Sequence, residues 1–67
     1  MIEVLLNGKS FTTMPNSTIR ALLEKLPLGT DHIAVELNNT LIKRKDWERI
    51  LLKPGDKVEV VRLVGGG

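Results

Sequence analysis

Hydrophobic and polar positions near the start of the chain follow the pattern of two paired strands. Ile2–Leu6 and Lys9–Met14 are separated only by Asn7-Gly8, a pair typical of a type I′ hairpin turn because both of its positions need positive φ. A two-residue turn fixes the register, and it places Val4 opposite Phe11. Alternate side chains of a strand leave opposite faces. The set predicted to face the core is Ile2, Val4 and Phe11, and the set predicted to point away is Glu3, Leu5, Ser10 and Thr12.

A helical period replaces this alternation after the hairpin. Four apolar residues recur at the spacing of one helix face, namely Ile19, Leu22, Leu23 and Leu26. We expect Asn16 or Ser17 to cap the first turn and Pro27 to end the helix. A helix of about two and a half turns is marginal alone in water, so its apolar face must pack on the sheet.

The second half of the chain indicates three more strands, separated by turn residues such as Asn38-Asn39 and Pro54-Gly55. The predicted strands are Ile33–Leu37, Thr40–Ile42 and Lys57–Val64. The valine-rich middle of the last strand favours a central position in the sheet. Between the last two strands, Lys43–Leu52 indicates a helical turn near Trp47, which is expected to cover the core because aromatic residues are scarce.

The resulting order, β-β-α-β-β-β, predicts an α+β protein of the β-grasp (ubiquitin-like) class, in which a mixed sheet wraps over one helix. The first and last strands are expected to pair in parallel at the centre, since a parallel pair needs a long crossover. With 67 residues, the chain has room for one domain. We assign residues 1–64 to this domain and residues 65–67 to a flexible glycine tail.

Composition narrows the chemistry that this domain can perform. The chain has no cysteine, which excludes disulfides, thiolate zinc sites and a cysteine nucleophile. His32 is the single histidine, the carboxylates show no motif spacing, and the sequence has no phosphate-binding loop or nucleophile elbow. We therefore expect no catalytic residue, no metal site and no bound cofactor, and we do not expect an enzyme.

Charge and hydropathy favour a cytoplasmic protein that binds neither nucleic acid nor membrane. The formal net charge is +2, and the basic cluster Lys43-Arg44-Lys45 with Arg49 and Lys53 is diluted by Asp46 and Glu48. A solvated loop is therefore favoured over a nucleic-acid site. No apolar run approaches the ~20 residues that span a bilayer, and the N-terminus lacks a secretion signal. Alone, the protein is expected to be a monomer.

The last three residues are the most informative feature of the sequence. Gly65, Gly66 and Gly67 follow a valine-rich strand without a polar spacer. One interpretation is an ordinary frayed terminus. The other is a slim arm for a partner's active site, because glycines without Cβ pass through a narrow channel and present the Gly67 carboxylate for activation.

A docking face for a partner is predicted on the side of the sheet away from the helix. If Val58 and Val60 join Val4 in the core, alternation sends the intervening residues outward. The predicted docking face consists of Leu5, Glu59, Val61 and Leu63, and its apolar members would form a strip that leads to the tail. Exposed apolar patches often mark interaction sites, whereas singly exposed apolar residues are normal.

With its short length and this element order, the chain resembles the ThiS family of sulfur-carrier proteins from thiamin biosynthesis. The resemblance covers nearly the whole chain, and the diglycine end is its most specific element. The stretches that carry it are Ala34–Asn38, Leu41–Arg44 with Trp47 close behind, Pro54–Glu59 and Val64–Gly67.

The resemblance implies a carrier and substrate rather than a catalyst. A ThiF-type adenylyltransferase would use ATP and magnesium to activate Gly67, with Gly65 and Gly66 entering its active site. A persulfide on a sulfur-donating protein would convert the carboxylate into a thiocarboxylate, and a ThiG-type thiazole synthase would use that sulfur for the thiazole of thiamin. Two alternatives stay open: a MoaD-type sulfur carrier for molybdopterin synthesis, and a non-covalent β-grasp interaction module.

Overall fold

The computed structural model describes residues 1–27 and 29–63 of the chain. Within these residues, five strands form one sheet, and a single α-helix and one 3₁₀ turn connect them. The elements are β1 (Ile2–Leu6), β2 (Lys9–Thr13), α1 (Ile19–Glu24), β3 (Ile33–Leu37), β4 (Thr40–Ile42), the 3₁₀ turn (Arg44–Asp46) and β5 (Lys57–Arg62). The predicted order of elements is confirmed; the last strand ends at Arg62, and Val64 lies outside the described residues.

The sheet has the order β2-β1-β5-β3-β4, with β5 in the middle as its sequence predicts. β1 and β5 run parallel, and the other neighbouring strands run antiparallel. In the first hairpin, Asn7 and Gly8 have φ values of 50° and 82°, as a type I′ turn requires. Val4 lies opposite Phe11, so the predicted register is also confirmed.

The start of α1 differs from the prediction. Thr18, not Asn16 or Ser17, caps the helix, because its hydroxyl accepts a hydrogen bond from the Ala21 amide at 3.1 Å. Asn16 instead adopts a φ of 64° in the turn before the helix, and the Ser17 hydroxyl donates to the Met14 carbonyl at 2.8 Å. Both side chains that seemed available for capping therefore belong to the preceding turn.

The hydrophobic core lies between α1 and one face of the sheet. Its buried members are Val4, Ile19, Leu22, Leu23, Val35, Trp47, Leu52, Val58 and Val60. Trp47 is only 1% exposed, and its indole N–H donates to the Ile42 carbonyl at 3.2 Å. The prediction that Trp47 covers a small core is thus confirmed. Among the described residues, no helix is long and apolar enough to cross a membrane.

Candidate functional site

The end of β5 forms the base of the glycine tail. Gly65, Gly66 and Gly67 lie outside the described residues, so the structure gives their predicted role no geometry. The Leu63 amide, just past β5, donates to the His32 carbonyl at 2.6 Å. His32 lies in the connector between α1 and β3 and has a φ of 60°. The chain is therefore still bonded to the neighbouring segment one residue beyond the central strand.

Asn7 supports the opposite side of β5. β1 ends at Leu6, before it can pair with the second half of β5. The Asn7 side chain takes over this pairing: its carbonyl oxygen accepts from the Val60 amide at 2.7 Å, and its amide group donates to the Val60 carbonyl at 3.3 Å. Sequence analysis identified Asn7 only as a turn residue, since this second role requires the long-range pairing of β1 with β5.

The sheet face turned away from α1, which we call the open face, contains the predicted docking residues. Val61 and Leu63 are 56% and 55% exposed, and Glu59 is half-buried. Val61 lies opposite the half-buried Ala34 on β3, so these residues form an apolar patch next to the base of the tail.

Leu5 does not belong to this patch. It is exposed on the open face, but it pairs with Lys57 at the start of β5. At about 3.3 Å per residue, this places it about 13 Å from Val61 along the strand. The predicted strip of Leu5, Val61 and Leu63 is therefore interrupted, because the β1–β5 register places Leu5 beside Lys57 and Glu59 lies between Lys57 and Val61 on the same face.

A pair of carboxylates occupies the middle of the open face. Glu59 lies directly opposite Glu36 on β3, and Glu36 lies opposite the exposed Leu41 on β4. Like charges directly opposite each other destabilise a sheet. The sequence did not indicate this pair, because it depends on the register between strands that are distant along the chain.

We expect Glu36→Gln to raise the free energy of unfolding by about 0.5 kcal/mol, because it removes this repulsion. Urea denaturation would measure the change. Salt should reduce the gain, since the screening length falls to about 3 Å at 1 M. Glu3→Gln is the control, because Glu3 also points away from the core but lies opposite Thr12, and its carboxylate accepts a hydrogen bond from the Ser10 hydroxyl. Glu3→Gln should therefore give no gain. An equal gain in both variants, or a gain that is independent of salt, would contradict the repulsion.

Two arginines form ion pairs away from the open face. Arg44, a member of the basic cluster, hydrogen-bonds to Thr30 and lies 3.5 Å from the Asp31 carboxylate. Arg20 pairs with Glu24 and Glu48 on the outside of α1. Among the described residues, no three histidine or carboxylate side chains come together as metal ligands. The candidate site is therefore the base of the tail together with the apolar patch beside it.

Comparisons with known proteins agree with this geometry. The family model described as the ThiS family matches residues 4–67. The crystal structure of the thiamine biosynthesis protein ThiS from Geobacter metallireducens superposes with a TM-score of 0.85 at 29% identity, covering 98% of this chain and 100% of that one.

Two relatives add information about function. The sulfur carrier protein ThiS of Escherichia coli is 23% identical over 98% of this chain and 100% of its own. A thiazole synthase from Paramagnetospirillum magneticum is 29% identical over 98% of this chain, but the match covers only 20% of that longer protein. The family match extends over nearly every residue, and the fold agrees with a solved member. This β-grasp chain belongs to the ThiS family.

Proposed function

We propose that this protein carries sulfur as a thiocarboxylate on Gly67 and delivers it for formation of the thiamin thiazole. The observation that carries the proposal is the central strand β5, which leads through Val61 and Leu63 towards three consecutive glycines. A central strand held on both sides gives the tail a fixed base. Glycines give it the smallest cross-section a polypeptide can have. Membership of the ThiS family supports this interpretation.

The chemistry starts at the terminal carboxylate. One oxygen of Gly67 attacks the α-phosphorus of ATP in the partner enzyme, and pyrophosphate leaves, so that an acyl-adenylate forms. Magnesium offsets the negative charge of the triphosphate. The outer sulfur of a protein persulfide then attacks the carbonyl carbon and AMP leaves. A carbon–sulfur bond has then formed, and the chain is joined to the donor through the original sulfur–sulfur bond of the persulfide. A second thiolate attacks the donor's inner sulfur and breaks that sulfur–sulfur bond, which frees the thiocarboxylate and leaves a disulfide on the donor side. In this scheme the chain supplies the reacting carboxylate, and its partners supply the catalysis.

The partners follow from this chemistry. A ThiF-type adenylyltransferase would activate the tail, a persulfide-bearing protein would supply the sulfur, and a ThiG-type synthase would receive it. One relative named thiazole synthase contains a region similar to this whole domain, which supports a functional link between the two. The same match favours thiamin biosynthesis over molybdopterin synthesis as the pathway that receives the sulfur. We place the reaction in the cytoplasm, with the free carrier as a monomer.

The apolar patch of Ala34, Val61 and Leu63 is the proposed contact with the activating enzyme. We expect Val61→Asp to raise the KM for the carrier about tenfold, because an interfacial charge in an apolar contact costs about 1.4 kcal/mol or more. The free energy of unfolding should fall by at most about 1 kcal/mol, since the side chain is exposed. Initial rates of thiocarboxylate formation at several carrier concentrations would measure the KM.

Leu51→Asp is the matched control for this prediction. Leu51 is 48% exposed, but it lies beside Thr18 at the start of α1 rather than on the open face. It should leave the KM unchanged. If both variants raise the KM equally, or if Val61→Asp is activated like the original protein, the patch is not the contact surface.

A further inference from the structure

The guanidinium of Arg44 binds the connector that precedes β3. It donates to the Thr30 carbonyl at 2.9 Å and to the Thr30 hydroxyl at 3.3 Å. It also lies 3.5 Å from the Asp31 carboxylate. These contacts join the 3₁₀ turn to a connector 13 and 14 residues earlier in the chain. The planar fork of arginine can bind several acceptors at once, which a lysine ammonium cannot do with the same fixed geometry.

The other side of Arg44 is supported by the core. Its guanidinium carbon lies 5.2 Å from the centroid of the Trp47 ring, within the range of a cation–π contact. Trp47 itself is buried and hydrogen-bonded to the Ile42 carbonyl. Arg44 therefore connects a fixed part of the molecule to a connector whose residues 29–32 lie outside any helix or strand.

This connector bonds directly to the base of the tail. Its last residue, His32, accepts the hydrogen bond from the Leu63 amide at 2.6 Å, and β3 begins at the next residue, Ile33, which pairs with Arg62. A shift of Thr30 and Asp31 would therefore move the His32 carbonyl and weaken its bond to Leu63. Leu63 is the last described residue before the tail.

We propose that Arg44 is a positioning residue for the tail reaction: by holding Thr30 and Asp31, it fixes the His32 carbonyl and so the direction in which the chain leaves β5. This inference rests on the proposed function, since it assigns a role in presenting Gly67. Gly67 is four residues past Leu63, a reach of about 13 Å in an extended chain. When the partner's active site holds the tail, a shift of Leu63 relative to that site displaces the carboxylate, and a misplacement of about 1 Å can slow a reaction a hundredfold.

The test compares Arg44→Ala and Arg44→Lys with Lys45→Ala. Lys45 is the adjacent basic residue of the same 3₁₀ turn, and its side chain makes none of the Arg44 contacts. For Arg44→Ala we expect the Leu63 amide to exchange about tenfold faster, since the bond that protects it is weakened. Thiocarboxylate formation should show a kcat about fivefold lower and a KM within about twofold of the original. Lys45→Ala should change neither the Leu63 exchange rate nor kcat. For Arg44→Lys, both quantities should lie between those of Arg44→Ala and those of the original protein.

Each outcome decides between the two proposals. If Arg44→Ala leaves both Leu63 exchange and kcat unchanged, or if the loss is entirely in KM, the positioning role is wrong while the carrier function stands. If the unaltered protein is not activated by a competent adenylyltransferase, the carrier function is wrong. Exchange of the Leu63 amide still tests whether Arg44, through Thr30 and Asp31, holds the His32 carbonyl in place. Should Arg44→Ala fail to fold, Asp31→Ala removes the exposed acidic partner of Arg44. This variant is also expected to accelerate exchange of the Leu63 amide.

Discussion

Deletion of Gly66 and Gly67 is expected to abolish sulfur loading completely and to leave the free energy of unfolding unchanged. The reacting carboxylate would move back by two residues, about 7 Å in an extended chain, and could no longer reach the nucleotide in the partner's active site. The core is not expected to depend on these glycines, because the buried hydrophobic residues of the described chain lie between Val4 and Val60. Intact-mass analysis after activation and urea denaturation of the same sample would measure the two quantities.

Two further variants separate the tail from a general effect of altering glycine. One alanine added after Gly67 should block loading as strongly as the deletion, because the carboxylate then lies beyond its position and carries a Cβ. Gly29→Ala is the matched control, since a Cβ at Gly29 meets no atom within 4 Å, and it should load normally. Full loading of the deleted chain would show that Gly66 and Gly67 are not required and would contradict the assignment of Gly67 as the reacting residue.

The largest effect on stability is expected for Trp47→Ala. Truncating a buried tryptophan costs about 3–5 kcal/mol, because it removes apolar burial and leaves a cavity. A domain of this size has a total stability of about 3–10 kcal/mol at 0.05–0.15 kcal/mol per residue. Trp47 is the largest fully buried side chain of the described chain, so we expect the variant to be largely unfolded at 37 °C. Urea denaturation followed by circular dichroism would show this.

Leu41→Ala provides the comparison for this loss. Leu41 is 64% exposed on β4, and its truncation should change the free energy of unfolding by no more than about 0.5 kcal/mol. Trp47→Phe should cost less than Trp47→Ala, since one aromatic ring still fills part of the site, although the rest of the indole and its bond to the Ile42 carbonyl are lost. A cooperative Trp47→Ala variant within about 1 kcal/mol of the original protein would contradict the burial of Trp47 against the core.

Local chemistry explains why the first hairpin could be predicted in detail. Asn7-Gly8 determines the turn, the turn determines the register, and alternation then assigns each side chain to a face. The central position of β5 also followed from its own composition, because a strand covered on both sides by neighbours is rich in valine. In these places a few consecutive residues contain all the necessary information.

The boundaries of α1 could not be predicted in the same way. The predicted helix of about two and a half turns is six residues long in the structure. The Lys25 and Leu26 amides donate to the Leu22 and Leu23 carbonyls, three residues earlier, so the last turn tightens before Pro27. At the other end, Ile19 donates to the Ile50 carbonyl. Such a contact from a distant segment selects Thr18 as the cap and cannot be seen in the local sequence.

The candidate site likewise combines features that follow from local sequence with features that depend on contacts between distant segments. The role of its glycines stays a prediction, and alternation alone assigned Val61 to the exposed face. The neighbours across the strands could not be assigned in this way, because Glu36 opposite Glu59 and Ala34 opposite Val61 depend on the β3–β5 register. The hydrogen bond from the Arg44 guanidinium to the Thr30 carbonyl likewise joins segments that only the folded chain brings together.

The most direct test of the carrier function is the intact mass of the protein after incubation with the ThiF-type enzyme of the same organism, ATP, magnesium and a persulfide donor. We predict a mass gain equal to the replacement of one oxygen by sulfur, and the gain should be absent when ATP is omitted or Gly67 is deleted. A mass that stays unchanged, with neither adenylate nor sulfur added by an enzyme that is active on another carrier, would contradict it.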